Sequence, residues 1–191
     1  MQDYVRNVGR QAGIHALIVE VRFTYFSCGT KTLDGGVQVE KSKIADQKLV
    51  VFTVGQQEYA VPITAVKEVE AWRQPTQVPE TSSIVEGVVD LRGEIIPVVD
   101  LGRRFRTQRR KQGVDARIMV MELGDRKVGW IVDEVVEVHS PAADSIKPPS
   151  PLLLSMSAVA NDPVVSGILK AGENRLVVVL DAERVIDSTL L

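Results

Sequence analysis

The chain has 191 residues, of which 45 % are apolar, 25 % charged and 5 % aromatic. This composition is typical of a globular chain with a buried core, and it excludes collagen, disordered chains and bundles of membrane helices. Lys and Arg total 23 and Asp and Glu total 25, giving a formal net charge of −2. The overall charge is therefore too small to attract nucleic acid. Any nucleic-acid binding would have to depend on a local group of basic residues.

Cysteine content and hydropathy restrict the compartment. Cys28 is the single cysteine and cannot close an internal disulfide, and one cysteine with two histidines cannot form a Cys/His zinc site within one chain. A reducing, cytoplasmic compartment is expected. The apolar run 14–26 contains Glu20 and Arg22, so it is neither a signal-peptide core nor a transmembrane helix. We expect no metal, no other cofactor and no membrane insertion.

The first 46 residues lack the hydrophobic patterning of the rest. We expect residues 1–46 to be a poorly ordered N-terminal extension. An alternative is that translation starts later, near Val39, because Gly35 and Gly36 could be encoded by purine-rich codons resembling a ribosome-binding sequence. The patterned domain then covers residues 47–188.

From Lys48 onward, apolar runs of about four to eight residues alternate with turn sequences, as in small β-barrels and sandwiches. The predicted strands are LVVFTV (49–54), EYAVPI (58–63), VEGVVDL (85–91), EIIPVVDL (94–101), RIMVMEL (117–123), KVGWIVDEVVEV (127–138), VSGILK (165–170) and RLVVVLD (175–181). Short helices are predicted after Pro62, Asp100 and Asp181, and both aspartates suit the N-cap position.

An internal repeat organises these strands. Residues 48–69 align without a gap on 117–138, and residues 87–100 align on 167–181 with one insertion at the turn. The identical positions of the first alignment are Val51 with Val120, Gly55 with Gly124, Val66 with Val135, Glu68 with Glu137 and Val69 with Val138. Each copy has too few strands to be stable unless its sheet closes or packs on a neighbour. We predict two barrels with an apolar seam, one over about 47–106 and one over about 114–188, joined by a basic linker (102–113).

The chain offers little material for catalysis. His15 lies in the predicted extension, His139 ends a predicted strand, and no phosphate-binding glycine loop is present. No catalytic residue is predicted. The basic segment 103–111 allows an alternative function, a small nucleic-acid-binding β-barrel, but Phe105 is its single aromatic residue and a solvated linker is favoured.

A hairpin tip is the best candidate for binding. Arg92 and Gly93 form its apex, where glycine allows the turn and the arginine projects. The equivalent turn of the second copy, Ala-Gly-Glu-Asn, has no arginine at the matching place. A feature confined to one copy points to function more than to folding.

The region from about 46 to 188 resembles the CheW family of bacterial chemotaxis coupling proteins. Its most specific motif is I-x-G-x-x-x-L-R-G-x-x-x-P-V-x-D-L, matched here between Ile84 and Leu101. The L-R-G and P-V-x-D-L parts match outright. Ile84 and Gly87 are three residues apart, where the pattern has a separation of two.

This resemblance implies an all-β fold of two SH3-like five-stranded β-barrel subdomains packed together, with a few short helices. It also implies an adaptor without enzymatic activity, which joins the cytoplasmic tip of a chemoreceptor, a methyl-accepting chemotaxis protein, to the regulatory domain of a CheA-type histidine kinase. Such an adaptor is cytoplasmic and recruited to membrane-associated receptor arrays. Whether it serves flagellar chemotaxis, surface motility or biofilm signalling is left open.

The resemblance also suggests site residues. Glu68, Val69, Gly87, Arg92 and Val66 are the candidate receptor-binding residues, with Glu68 expected to pair with Arg92. The kinase contact is expected between Val78 and Gly87, and its candidates are Val78, Pro79 and Ile84. An apolar groove between the barrels would accept a helical hairpin, and Val66, Val69 and Val135 are candidates to line it.

Overall fold

The computed structural model describes residues 47–107, 115–142, 144–148 and 164–190, so the predicted extension 1–46 lies outside the described residues. The strands are β1 (Leu49–Val54), β2 (Gln57–Pro62), β3 (Val66–Ala71), β4 (Val85–Leu91), β5 (Glu94–Asp100), β6 (Arg117–Leu123), β7 (Arg126–Val132), β8 (Glu134–His139), β9 (Ile146–Lys147), β10 (Val165–Lys170) and β11 (Leu176–Leu180). The helices are a 3-10 turn (Ile63–Ala65), α1 (Leu101–Arg104) and α2 (Ala182–Leu190). None of the described helices is long and apolar enough to cross a membrane.

The predicted strand positions agree with the structure to within one residue, with three differences. The two-residue strand β9 was not among the predicted strands. The predicted strand 127–138 is divided at Asp133 into β7 and β8, which belong to different sheets. Strand β3 was not among the predicted strands, because its charged residues obscure the apolar pattern. All three predicted helical stretches are present. Asp100 Oδ1 accepts hydrogen bonds from the backbone N–H groups of Gly102 and Arg103, which confirms its N-cap role.

The strands form two sheets that curl into barrels, which confirms the predicted all-β fold of two barrels. The first barrel has the strand order β3-β6-β7-β5-β4, and the second has β8-β1-β2-β11-β10-β9. In the first barrel the chain after β3 returns to the opposite edge strand, where Thr76 pairs with Val88. In the second barrel the chain after β8 returns in the same way and pairs with β10 through β9. This two-residue strand is the sixth strand of the sheet.

The strand pairing confirms the internal repeat. Replacing β1, β2, β3, β4 and β5 by their repeat equivalents β6, β7, β8, β10 and β11 converts one strand order into the other. The registers agree as well. Leu49 opposes Pro62 as Ile118 opposes Ile131, and the parallel pairs Ala60–Val179 and Gly129–Val98 are also equivalent.

The division of the chain into two contiguous barrels, about 47–106 and 114–188, differs from the structure. Hairpin β1–β2 belongs to the second barrel, and hairpin β6–β7 belongs to the first. Each barrel therefore takes one hairpin from one half of the chain and its other strands from the other half. The repeat showed which strands are equivalent, but it carried no information on which copy each strand pairs with.

Three apolar clusters explain why the sequences of the central strands are continuous runs of hydrophobic residues. The largest is the predicted seam between the barrels, and it includes Phe52, Trp130 and Met119. The two smaller clusters fill the barrel interiors. Along β1, Leu49 and Val51 face the interior of the second barrel while Val50, Phe52 and Val54 face the seam. These strands are buried on both faces, so apolar and polar residues do not alternate along them.

Candidate functional site

The β4–β5 hairpin presents Arg92 at its tip. Arg92 has φ 55° and Gly93 has φ 86°, the left-handed pair of angles that a two-residue type I′ turn requires. Asp90 Oδ1 accepts a hydrogen bond from the Gly93 N–H at 2.7 Å and fixes the turn. The predicted glycine turn is confirmed, and the arginine adopts a backbone conformation that non-glycine residues rarely occupy.

The structure brings Arg92 and Glu68 together. Arg92 Nη2 lies 3.2 Å from Glu68 Oε2 and 3.5 Å from Glu70 Oε1. The Arg92 side chain is 76 % exposed, whereas that of Glu68 is 15 % exposed. Strand β3 thus supplies two carboxylates that orient an otherwise solvated guanidinium through its Nη2. An exposed pair of this kind adds little to stability, but it fixes the direction in which the arginine points.

Arg73 continues this charged surface towards β4. Its Nη1 donates to the carbonyl oxygen of Asp90 at 3.1 Å, and its Nη2 lies 3.9 Å from Glu70 Oε2. Glu68, Glu70, Arg73 and Arg92 form what we call the charged rim of the first barrel. The rim joins the two edge strands of this barrel, because Glu68 and Glu70 lie on β3 and Arg92 follows β4.

Gly87 has a packing role that the structure makes clear. It is buried, with φ 146°, and a Cβ atom at this position would lie 2.2 Å from the carbonyl oxygen of Thr76. This is where the chain after β3 closes the barrel on β4. A Cβ atom added at the equivalent Gly167 would lie 3.2 Å from the carbonyl oxygen of Lys147 and 2.9 Å from Ile146 Cγ2. The glycine is needed for barrel closure, and without a side chain it can present only backbone to a partner.

Two of the apolar candidates for the groove are core residues. Val66 is 0 % exposed and Val135 is 1 % exposed, and both are part of the seam. The seam is closed over both side chains, so neither offers surface to a partner in this structure, and their place in a partner-binding groove stays a prediction. Val69 is partly buried and packs against the same cluster, so it retains some accessible surface beside the charged rim.

The segment proposed for the kinase contact offers more surface. Val78 is 41 % exposed, among the largest exposures of any apolar side chain in the described part of the chain, and Pro79 beside it is also exposed. The Val78 carbonyl oxygen accepts a hydrogen bond from Thr81 Oγ1, which holds the bend. Ile84 differs, because it is half-buried and packs against the seam.

The basic segment is partly occupied by contacts within the protein. Arg103 Nη2 lies 2.7 Å from Glu86 Oε2, its Nε lies 3.7 Å from Asp100 Oδ2, and its Nη1 donates to the carbonyl oxygen of Ser83. Phe105 stacks on Tyr59 with ring centroids 4.8 Å apart, so it does not form a free platform for a base. Residues 108–114 lie outside the described residues. The described part of the segment gives no support to nucleic-acid binding.

A second arginine cluster, on the second barrel, was not predicted from the sequence. Arg175 Nη1 lies 2.6 Å from Glu137 Oε1, and its Nε lies 2.7 Å from Glu58 Oε2. Glu137 is the repeat equivalent of Glu68. Both copies therefore pair this glutamate with an arginine, but the second arginine comes from the start of β11 and not from the turn apex. The identity of Glu68 and Glu137 in the repeat was the available signal.

His139 belongs to no site with catalytic geometry. Its Nδ1 lies 3.8 Å from Glu137 Oε1 at the end of β8. Within residues 47–107, 115–142, 144–148 and 164–190, no group of three His, Cys, Asp or Glu side chains is arranged to hold a metal ion.

Comparison with known proteins agrees with this architecture. The family model for the CheW-like domain matches residues 48–190. The chain is similar to chemotaxis protein CheW of Bacillus subtilis, with 37 % identity over 146 residues, covering 74 % of this chain and 87 % of the relative. It is also similar to chemotaxis protein CheW of Klebsiella aerogenes, with 30 % identity, covering 74 % of this chain and 82 % of the relative.

A solved structure shares the fold. The crystal structure of the scaffolding protein TtCheW from Thermoanaerobacter tengcongensis superimposes with a TM-score of 0.62 at 35 % sequence identity. The match covers 71 % of this chain and 89 % of that one. Because the family model spans most of the chain and the relatives match over most of their own length, the chain belongs to the CheW family of chemotaxis adaptor proteins.

Proposed function

We propose that this protein couples the cytoplasmic tip of a chemoreceptor to a CheA-type histidine kinase, as a non-enzymatic adaptor in a chemosensory pathway. In this role it is recruited to membrane-associated receptor arrays by its partners. Membership of the CheW family supports the adaptor role, and the geometry of the first barrel supports the assignment of surfaces.

The observation that carries the receptor assignment is the conformation of Arg92. An arginine with φ 55° at a type I′ turn is less favourable than asparagine or glycine, which suit that position without strain. The side chain is nevertheless exposed, and Glu68 and Glu70 orient it. A strained, oriented and solvated side chain is typical of a contact residue. Glu68, Arg92 and the accessible part of Val69 form the proposed receptor surface.

The kinase surface is proposed on the neighbouring segment from Val78 to Ile84. Val78 and Pro79 are exposed side by side at a bend, so they offer an apolar contact to a protein partner. Because β4 connects this segment directly to the Arg92 hairpin, the two surfaces lie on the same barrel. An adaptor that binds two partners at once needs such separate surfaces on a rigid frame.

The receptor surface is tested with the variant Arg92→Glu and a receptor cytoplasmic fragment in a titration calorimetry or pull-down assay. We expect binding to weaken by at least about 1.5 kcal/mol, roughly tenfold, with an unchanged circular dichroism spectrum. The matched control is Lys170→Glu, the same charge change on the exposed end of the equivalent hairpin of the second barrel. Unchanged receptor binding by Arg92→Glu would remove Arg92 from this surface.

The kinase surface is tested with Val78→Glu and the regulatory domain of a CheA-type kinase. We expect this variant to lose at least about tenfold in affinity for the kinase domain, because a charge replaces an exposed apolar contact. It should keep its affinity for the receptor fragment, whereas Arg92→Glu should show the opposite pattern. If both variants weakened both partners equally, two separate surfaces would be contradicted.

A further inference from the structure

We infer that the two halves of this chain, residues 47–107 and 115–190, are mutual binding partners whose association does not depend on the peptide that joins them. The partner that each half fits is the complementary half of the chain. The inference stands apart from the proposed adaptor function and rests on the exchanged hairpins.

The strand pairing carries the first step. Four strand interfaces join residues of the first half to residues of the second, namely β1 with β8, β2 with β11, β3 with β6 and β5 with β7. Within the first half the strand interfaces are β1 with β2 and β4 with β5. Hairpin β1–β2 lies between β8 and β11, and hairpin β6–β7 lies between β3 and β5. Neither half can complete the sheet of a barrel by itself.

The barrel interiors show the same dependence. In the first barrel, Ile118, Val120 and Ile131 of the second half fill the interior that Ile96 and Val98 of the first half line. In the second barrel, Leu49, Val51 and Ala60 of the first half pack against second-half residues. A half without its partner would expose these apolar side chains to water, so burying them drives the association.

Polar contacts also cross between the halves. Ion pairs between described residues that do so include Glu58 with Arg175, Lys67 with Glu122 and Glu94 with Lys127. A buried polar contact also crosses between the halves, in which Asp133 Oδ2 accepts a hydrogen bond from the Gly55 N–H at 2.6 Å. The Asp133 N–H in turn donates to the carbonyl oxygen of Thr53. This two-way connection fixes the tip of hairpin β1–β2 to the point where β7 ends and β8 begins.

The test uses the full chain with a protease recognition sequence replacing residues 109–112. After cleavage of the folded protein, we expect both halves to elute together in gel filtration at micromolar concentration, with the β-sheet circular dichroism of the uncut protein. The melting temperature of the cut protein should depend on its concentration, because unfolding now separates two chains, while that of the uncut protein should not. Halves that separate or precipitate after cleavage would overturn the inference.

Recombination gives a second measurement. The cut halves are separated in urea, purified, mixed and returned to buffer, and we expect the mixture to regain the elution position and spectrum of the uncut protein. Each half returned to buffer alone should fail to do so, because its barrels lack strands. A half that folds alone to a stable monomer, or a mixture that does not recombine, would contradict the inference.

A pair of variants identifies the contact. Asp133→Ala removes the contact across the halves and should weaken the cut complex at least tenfold in dissociation constant. Asp90→Ala removes the contact of Asp90 Oδ1 with the Gly93 N–H, which lies within the first half, and should leave that constant unchanged within about twofold. Equal weakening by both variants would contradict the assignment.

Discussion

Glu58 and Lys127 occupy the same position in the two copies of the repeat and carry opposite charges. Each forms an ion pair with a residue at the start of the neighbouring parallel strand, or directly before it. Glu58 pairs with Arg175, and Lys127 Nζ lies 2.6 Å from Glu94 Oε2. Arg175 and Glu94 are themselves equivalent in the repeat. Each barrel thus keeps an ion pair at this place, with the positive and negative partners exchanged.

The pKa values reflect these pairs. The hydrogen bond to Glu94 is the main cause that raises the pKa of Lys127, and the hydrogen bond to Glu58 is the main cause that raises the pKa of Arg175. Both cations are therefore retained at every pH near neutrality. Both barrels have an ion pair at this place, although the positive and the negative residue are exchanged. This indicates that the fold needs opposite charges at these two positions, whichever strand carries the positive one.

Removal of the bridging arginine tests this interpretation. Arg175→Met keeps most of the aliphatic stem and leaves Glu58 and Glu137 without their shared cation, so we expect the free energy of unfolding to fall by about 0.5 to 1 kcal/mol. Urea unfolding followed by circular dichroism measures the change. The control Arg184→Met removes an exposed ion pair with Asp181 on the first turn of α2 and should cost less. Equal losses would mean that the bridge at Arg175 has no special value.

The Arg92 turn predicts that stability and binding respond in opposite directions. Arg92→Asn places a residue that tolerates the left-handed conformation at φ 55°, so we expect the unfolding free energy to rise by about 0.5 kcal/mol. Binding to the receptor fragment should fall at the same time, because the guanidinium is lost. A variant that is less stable than the parent would show that the contacts of Arg92 with Glu68 and Glu70 outweigh its backbone strain.

Gly93→Val tests the turn through backbone conformation alone. A Cβ atom at Gly93 would meet nothing within 4 Å, so any loss of stability comes from the φ of 86° that valine adopts with difficulty. We expect the unfolding free energy to fall by about 1 to 3 kcal/mol, and Gly93→Asn to lose clearly less. A melting temperature equal to that of the parent would contradict the type I′ assignment.

Gly87→Ala should be more damaging than Gly93→Val despite its smaller side chain. The added methyl group would lie 2.2 Å from the Thr76 carbonyl oxygen, which is backbone and cannot rotate away. The barrel would have to open where the chain after β3 meets β4. We expect a loss of at least about 3 kcal/mol, or failure to fold, measured by thermal unfolding and by soluble yield. If Gly87→Ala lost less free energy of unfolding than Gly93→Val, the backbone at Thr76 would be able to move away from β4 at little cost.

The sequence predicted the elements other than β3 and β9, the repeat and the Glu68–Arg92 pair, because these depend on local pattern or on the motif. It did not predict the exchange of hairpins, since Val51 and Val120 look alike whichever copy supplies their neighbours. It also did not separate Val66, which the seam buries completely, from Val78, which remains exposed. Burial of an apolar residue depends on packing between barrels, and this is not encoded in the period of one strand.

A last prediction concerns alkaline pH and the seam. Tyr59 stacks between Phe52 and Phe105, and burial raises the pKa of its phenol above the ordinary value of 10.0. The folded protein therefore keeps this proton at a pH where the unfolded chain has lost it. The contribution of this proton to the free energy of unfolding is fully present below about pH 10 and declines as the pH rises above it. Lys127, whose pKa is also raised, contributes a decline of the same sign. Between pH 9 and about pH 11, we expect the free energy of unfolding to fall by less in Tyr59→Phe than in the parent protein. Parallel urea unfolding curves at the two pH values measure this difference, and an equal decline in both proteins would show that the phenol of Tyr59 does not titrate with unfolding.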